Sequence, residues 1–188
     1  MSSFVTAGLY GHEHQVHEPR RLRRARIAWE RVRDVLTSEI TQAPDTGGPN
    51  RHTTWLTTIN RDGSPHVTPV GFVELNGVWY FTSGPGTRKS RNISADARCV
   101  ASVATHPFDL VVEGSAERVT ETDELRSVAD EYVREGWPAQ VEGDALTAEY
   151  SAPSAGPPPW QVYKITPSTV FAFGTAEPYG ATRFDLTR

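Results

Sequence analysis

"TWLTTINRDGSPHVTPVGFVELNGVWYFTS", residues 54–83, decides the fold. Its first run, to Ile59, is rich in β-branched and aromatic residues, "RDGSP" is a turn, and "HVTPVGFVEL" is a second extended run. Asn76-Gly77 then supplies a two-residue hairpin turn, because both residues tolerate positive φ, and "VWYFTS" follows as a third strand. Three antiparallel strands in a meander are the expectation.

Downstream, "GPGT" leads into a short helix from about Arg88 to Ala95, and "RCVASVATH" and "LVVEGSAERVT" are two further strands. Thr120 with Asp123 three residues on resembles a capping box opening a helix from about Glu121 to Glu135, with Leu125, Val128, Ala129 and Tyr132 as its buried stripe. After the proline-rich loop "YSAPSAGPPPW" come "WQVYKIT" and "STVFAFG", read as two strands separated by a turn at Pro167. About six or seven antiparallel strands with peripheral helices, lacking the strand-helix alternation of a parallel sheet, define an α+β fold around a small β-barrel.

Upstream, Leu22, Ala25, Trp29, Val32 and Leu36 recur at steps of three and four, the stripe of an amphipathic helix from Pro19 to about Ile40 whose other faces carry seven arginines between Arg20 and Arg33. "TQAPDTGGPN" breaks it. The expected organisation is a tail and basic helix over 1–48, a barrel domain over 49–180 and a C-terminal tail over 181–188. His12, His14 and His17 lack the HExxH spacing that puts two imidazoles on one helix face, so no metal is assigned to them.

At 188 residues the chain is long enough for one substantial core. The net charge of −4 argues against a phosphate-backbone partner, so no nucleic-acid role is expected. No apolar run approaches the roughly 20 residues of a membrane span, and the opening residues lack the order of a secretory signal; a cytoplasmic protein is expected. The single cysteine, Cys99, sits in "ARCVASVA" and reads as strand packing. His52, His66 and His106 show no spaced Ser or Asp partner, which excludes a hydrolytic triad from the reading and leaves no catalytic side chain assigned.

The chemistry is concentrated in "SGPGTRKSRN", residues 83–92, which holds one of only two lysines. Glycines permit close backbone approach, Ser83 and Thr87 offer hydroxyls, and Arg88, Lys89 and Arg91 supply positive charge at a helix start. The pattern lacks Walker-loop spacing, and by itself it is an anion-binding loop or a plain connection.

The ordered set from Thr54 to Val103, with "WQVYKITPSTVFAFGT" as closing strands, resembles the pyridoxamine 5'-phosphate oxidase-like superfamily of flavin and deazaflavin oxidoreductases. The resemblance implies an antiparallel split β-barrel, the FMN-binding split barrel, with peripheral helices. It implies that Thr82, Ser83, Arg88, Lys89 and Asn92 hold the cofactor phosphate and ribityl region. His66, Val67, Thr68, Pro69 and Val70 would lie beside the ring.

It also implies a homodimer with the cofactor at the subunit interface. There Trp160 faces a partner's cofactor, unless it is the packing aromatic that its size makes the simpler reading. The second strand reads "HVTPVG" where FMN-binding relatives carry further basic residues, and a phosphodiester carries one charge where a phosphomonoester carries nearly two. The balance therefore favours the deazaflavin coenzyme F420 over FMN. The activity implied is hydride transfer to a small electron-poor organic substrate. The alternatives are an FMN-dependent oxidase or reductase, and a non-catalytic flavin- or haem-binding carrier or sensor.

Overall fold

The computed structural model describes residues 27–38, 53–152, 155–177 and 179–186. His12, His14, His17, His52 and the arginines from 20 to 26 lie outside the described residues. So do all of residues 39–52, which include "TQAPDTGGPN".

In chain order the elements are α1 (Trp29–Ser38), β1 (Thr54–Ile59), β2 (Pro65–Val70), β3 (Phe72–Leu75), β4 (Val78–Ser83), α2 (Arg88–Ala95), β5 (Arg98–Ala104) and β6 (Phe108–Val119). After them come α3 (Thr122–Arg134), β7 (Gln140–Glu142), β8 (Ala145–Thr147), β9 (Gln161–Gly174) and β10 (Ala181–Asp185).

Eight of the strands form one antiparallel sheet in the order β2-β1-β5-β6-β9-β4-β3, with β10 also on β9, and β7 and β8 pair apart from it. The run "HVTPVGFVEL", expected as one strand, is divided at Gly71: β2 pairs with β1 while β3 pairs with β4. A single residue therefore joins the two ends of the sheet path, which wraps the sheet into a split barrel. The expected Asn76-Gly77 turn is present, with φ of 54° and 83°.

The barrel interior is filled by Leu56, Phe81, Ala101, Leu110, Val112 and Ile165, all at most 2% exposed. Ile27, Val32 and Val35 join this core, so α1 covers part of the barrel, held where the Ile27 N–H donates to Thr182 Oγ1 at 3.0 Å. A second core lies outside the sheet, where Leu125, Val128, Ala129 and Tyr132 of α3 meet Val73, Tyr80 and Val162. The expected stripe of α3 is thus the buried one, although the N-cap is Glu121 and makes no side-chain cap bond, so the Thr120/Asp123 capping box does not form.

Two expectations about the C-terminal strands need correction. β9 is one strand of 14 residues, not two around a turn at Pro167. Gly114 pairs with Pro167 and Glu113 with Thr169, which leaves Ser168 as the extra residue of a bulge. A bulge is one of the few places in a sheet that accepts proline, because the missing N–H leaves no ladder bond unmade. Residues 181–185, read as a tail, are β10, paired with β9 from Phe173 to Thr169. The β7–β8 hairpin, turning at Gly143 with φ 63°, was not anticipated.

Candidate functional site

The loop between β4 and α2 is rigid for a chemical reason. Thr87 caps α2, its Oγ1 accepting from the Ser90 N–H at 3.3 Å, and its own N–H donates to the Gly84 carbonyl at 3.1 Å. Three hydroxyls close on one another: Ser83 and Thr87 at 2.7 Å, Ser90 and Ser83 at 2.9 Å, and Thr87 and Ser90 at 3.0 Å. Ser90 Oγ also lies 3.0 Å from the Gly84 carbonyl. Ser83 and Ser90 are buried, so their hydroxyls brace the loop from beneath. Ser90 was not singled out in the sequence, although a serine three residues after a Thr N-cap is a legible pairing.

The loop leaves donors outward. The Ser90 and Arg91 N–H groups are taken by Thr87, whereas those of Arg88 and Lys89 have no partner among the described residues. Lys89 is half-buried and makes no ion pair or hydrogen bond with any described residue; burial lowers its pKa. Arg88 is exposed and likewise unbonded. Arg91 folds back, donating Nη1 to the Gly86 carbonyl at 2.6 Å. The result is a cationic spot with two amides unpaired among the described residues, the chemistry of an anion cradle.

The structure places the other sequence-derived residues unequally. Asn92 is 8% exposed and turns inward, its Nδ2 donating to Thr58 Oγ1 at 3.1 Å and Asn60 Oδ1 at 3.0 Å, so its amide docks α2 on β1. Thr82 lies on the other face of β4 with Tyr80, towards the buried Tyr132, whose hydroxyl donates to the Gly71 and Tyr80 carbonyls, each at 3.4 Å.

On β2, side chains alternate: His66, Thr68 and Val70 are half-buried opposite Thr58, Leu56 and Thr54, while Val67 and Pro69 are exposed opposite Thr57 and Trp55. Thr58 joins the two halves, contacting Asn92 on one side and the His66 carbonyl, at 3.5 Å, on the other.

Trp160 is buried within its own subunit, 3% exposed, with its ring 5.6 Å from that of Trp137 and its Nε1 donating to the Gly156 carbonyl at 3.3 Å. This burial is that of a packing aromatic, the simpler of the two readings of Trp160. Phe171 and Phe173, whose alternation in "STVFAFG" alone would suggest a core pair, lie on the outer face of β9, since Val170 and Ala172 are the inward pair. Cys99 packs in the barrel, and burial pushes its thiol up to about 12, which keeps it protonated and inert.

The outer face of the sheet carries an apolar row flanked by the charged Asp109, Glu113 and Arg183. Register aligns Pro69, Trp55, Ser102, Val111 and Phe171 in one row across five strands. Trp55, Val67 and Phe173 are 47%, 53% and 43% exposed. Among the described residues no cluster of His, Cys, Asp or Glu has a metal-binding arrangement, and no helix is long and apolar enough to cross a membrane.

An antiparallel α+β split barrel with a braced cationic loop at one helix start is the class that fold and site define. Residues 40–174 match the pyridoxamine 5'-phosphate oxidase family, and the chain belongs to it; that family contains oxidoreductases.

Among solved structures, a conserved hypothetical protein of Mycobacterium tuberculosis is 18% identical, with 79% of this chain and 85% of that one covered and a TM-score of 0.54. A putative 5-nitroimidazole antibiotic resistance protein of Bacteroides thetaiotaomicron is 16% identical over 77% and 82%, with a TM-score of 0.53. A protein described as an F420 reductase is 20% identical over 73% and 94%, with a TM-score of 0.46. At these identities the likeness is one of fold. No curated protein matches the chain.

Proposed function

We propose that the protein is an oxidoreductase that binds the deazaflavin coenzyme F420 and passes a hydride between it and a small electron-poor organic substrate. The observation that carries this reading is Lys89, a half-buried cation without a partner among the described residues, beside two unpaired amides. A buried charge left unpaired is unfavourable, so its retention here is accounted for by an anionic ligand that completes it.

Arg88, Lys89 and their amides would hold the phosphate, on a loop kept in shape by Ser83, Thr87 and Ser90. Besides His66, β2 carries no basic side chain. This modest positive charge suits a singly charged phosphodiester better than a doubly charged phosphomonoester. The bound coenzyme would supply the hydride chemistry, and the protein's part is to orient it along β2 and to exclude water.

The apolar row through Trp55 supports a second copy of the chain as the partner that covers this face, since exposed apolar area of this kind marks interaction surfaces. The cofactor would then lie at the subunit interface.

Titrating the purified protein with F420 and, separately, with FMN tests the assignment. Binding of F420 followed by turnover on a panel of enones and quinones is the expected result. Tight FMN binding with no response to F420 overturns the coenzyme, and retention of either cofactor without turnover assigns the protein as a carrier or sensor.

A further inference from the structure

The β1–β2 turn carries a carboxylate, Asp62, and is bonded through side chains to Asn92, one helical turn from Arg88 on α2. Asp62 Oδ1 accepts from the Ser64 N–H at 3.0 Å and from Ser64 Oγ at 2.5 Å. Ser64 Oγ in turn accepts from Asn60 Nδ2 at 3.0 Å, and Asn60 Oδ1 accepts from Asn92 Nδ2 of α2 at 3.0 Å. Side-chain bonds therefore fasten the turn to the helix that carries Arg88 and Lys89. The bonds from Ser64 hold the Asp62 carboxyl below its usual range, and the charge of Arg88 adds a smaller pull in the same direction. Asp62 is exposed and makes no contact ion pair with Arg88, so the two act on each other through space.

We propose that Asp62 selects ligands by charge at this anion site: its carboxylate offsets part of the field of Arg88 and disfavours a phosphomonoester dianion relative to a phosphodiester monoanion. The inference rests on the reading of the Lys89 loop as the phosphate site. Its logic is that Coulomb repulsion scales with the charge of the ligand. If removing the carboxylate tightens a monoanion by some factor, it tightens a dianion by the square of that factor. At a screened, exposed position the factor is about two to five.

The test compares two probes that share one ring and differ only in phosphate charge: the 5'-phosphate of the deazaflavin riboside and the methyl diester of that phosphate. Binding is read by fluorescence polarisation at low and high salt. Asp62→Asn is expected to shift the ratio of the two dissociation constants toward the monoester by about two- to fivefold at low salt, with the shift fading at high salt. Asp62→Glu, which keeps the charge, is expected to keep the wild-type ratio. Asp62→Ser, which retains an acceptor for the Ser64 N–H, repeats the measurement in case the first variant disturbs the turn.

An unchanged ratio, or an equal change for both probes, overturns the proposal alone. Failure of the wild-type protein to bind either probe overturns the reading of the loop as a phosphate site, and the proposal with it.

Discussion

The side-chain amide of Asn92 in α2 donates to Thr58 Oγ1 of β1 at 3.1 Å, across 34 residues of chain. The only apolar side chain that α2 buries is Ile93, so the helix that presents Lys89 is seated on the barrel largely by this polar contact and by the paired bond to Asn60. Asn92 is a positioning residue.

Asn92→Ala should therefore act on stability first. It removes the donor from the buried Thr58 hydroxyl, which keeps only its long bond to the His66 carbonyl, and from the half-buried Asn60 Oδ1, a loss of about 1–3 kcal/mol by urea denaturation. Coenzyme affinity should fall as well, because α2 loses its seat. A variant with wild-type stability would remove Asn92 from this role.

Lys89 should show opposite effects on binding and on stability. Lys89→Met should weaken the coenzyme by about 1.5–3 kcal/mol, the worth of a charge-assisted hydrogen bond. The ligand-free variant should be at least as stable as wild type at neutral pH. The sign follows from the lowered pKa: folding disfavours the charged ammonium, so the unfolded chain binds more protons, and wild-type stability rises with pH between the folded value and 10.5. The advantage of the variant should accordingly shrink as pH approaches 10.5. A gap that widens with pH contradicts the desolvation account.

Trp55 tests the apolar row. Trp55→Arg puts a charge on the outer face of β1 while leaving the buried Leu56 and Thr58 untouched. Light scattering should show a dimer for wild type and a dissociation constant raised at least about tenfold in the variant, as for loss of a central aromatic anchor. A wild-type monomer at all concentrations would show that something other than a second copy covers this face.

What the sequence made legible was local. The Asn76-Gly77 turn, the bounds of α2 at Arg88 and Ala95 and the packing role of Cys99 follow from chemistry within a few residues of each. The division of one extended run at Gly71, the continuity of β9 past Pro167 and the pairing of β10 were hidden, because each depends on a partner far along the chain. The site divides in the same way. The cations of "TRKSR" are visible in any window, but the inward turn of Asn92 is set by Thr58, and the burial of Trp160 by Trp137 and Leu146. Resemblance to a family supplies an order of elements, and it does not say which way an alternating side chain faces.

Gly114 gives the sharpest test of the barrel itself. It faces Pro167 where β6 and β9 slip register by one residue, and a Cβ built there would collide with the Thr166 carbonyl oxygen. The obstacle is backbone held in a ladder, with no flexible side-chain end to swing aside. Gly114→Ala must therefore push the two strands apart, against a core in which Val112, Ala116 and Ile165 are buried on either side. Overpacking of this kind costs about 1–3 kcal/mol, and the rigid neighbour places this site at the upper end. The loss should appear as a lower urea midpoint with an unchanged slope, since the surface exposed on unfolding stays the same. Alanine tolerated without loss would mean that the bulge at Ser168 can relax, and that Pro167 rather than Gly114 sets the register.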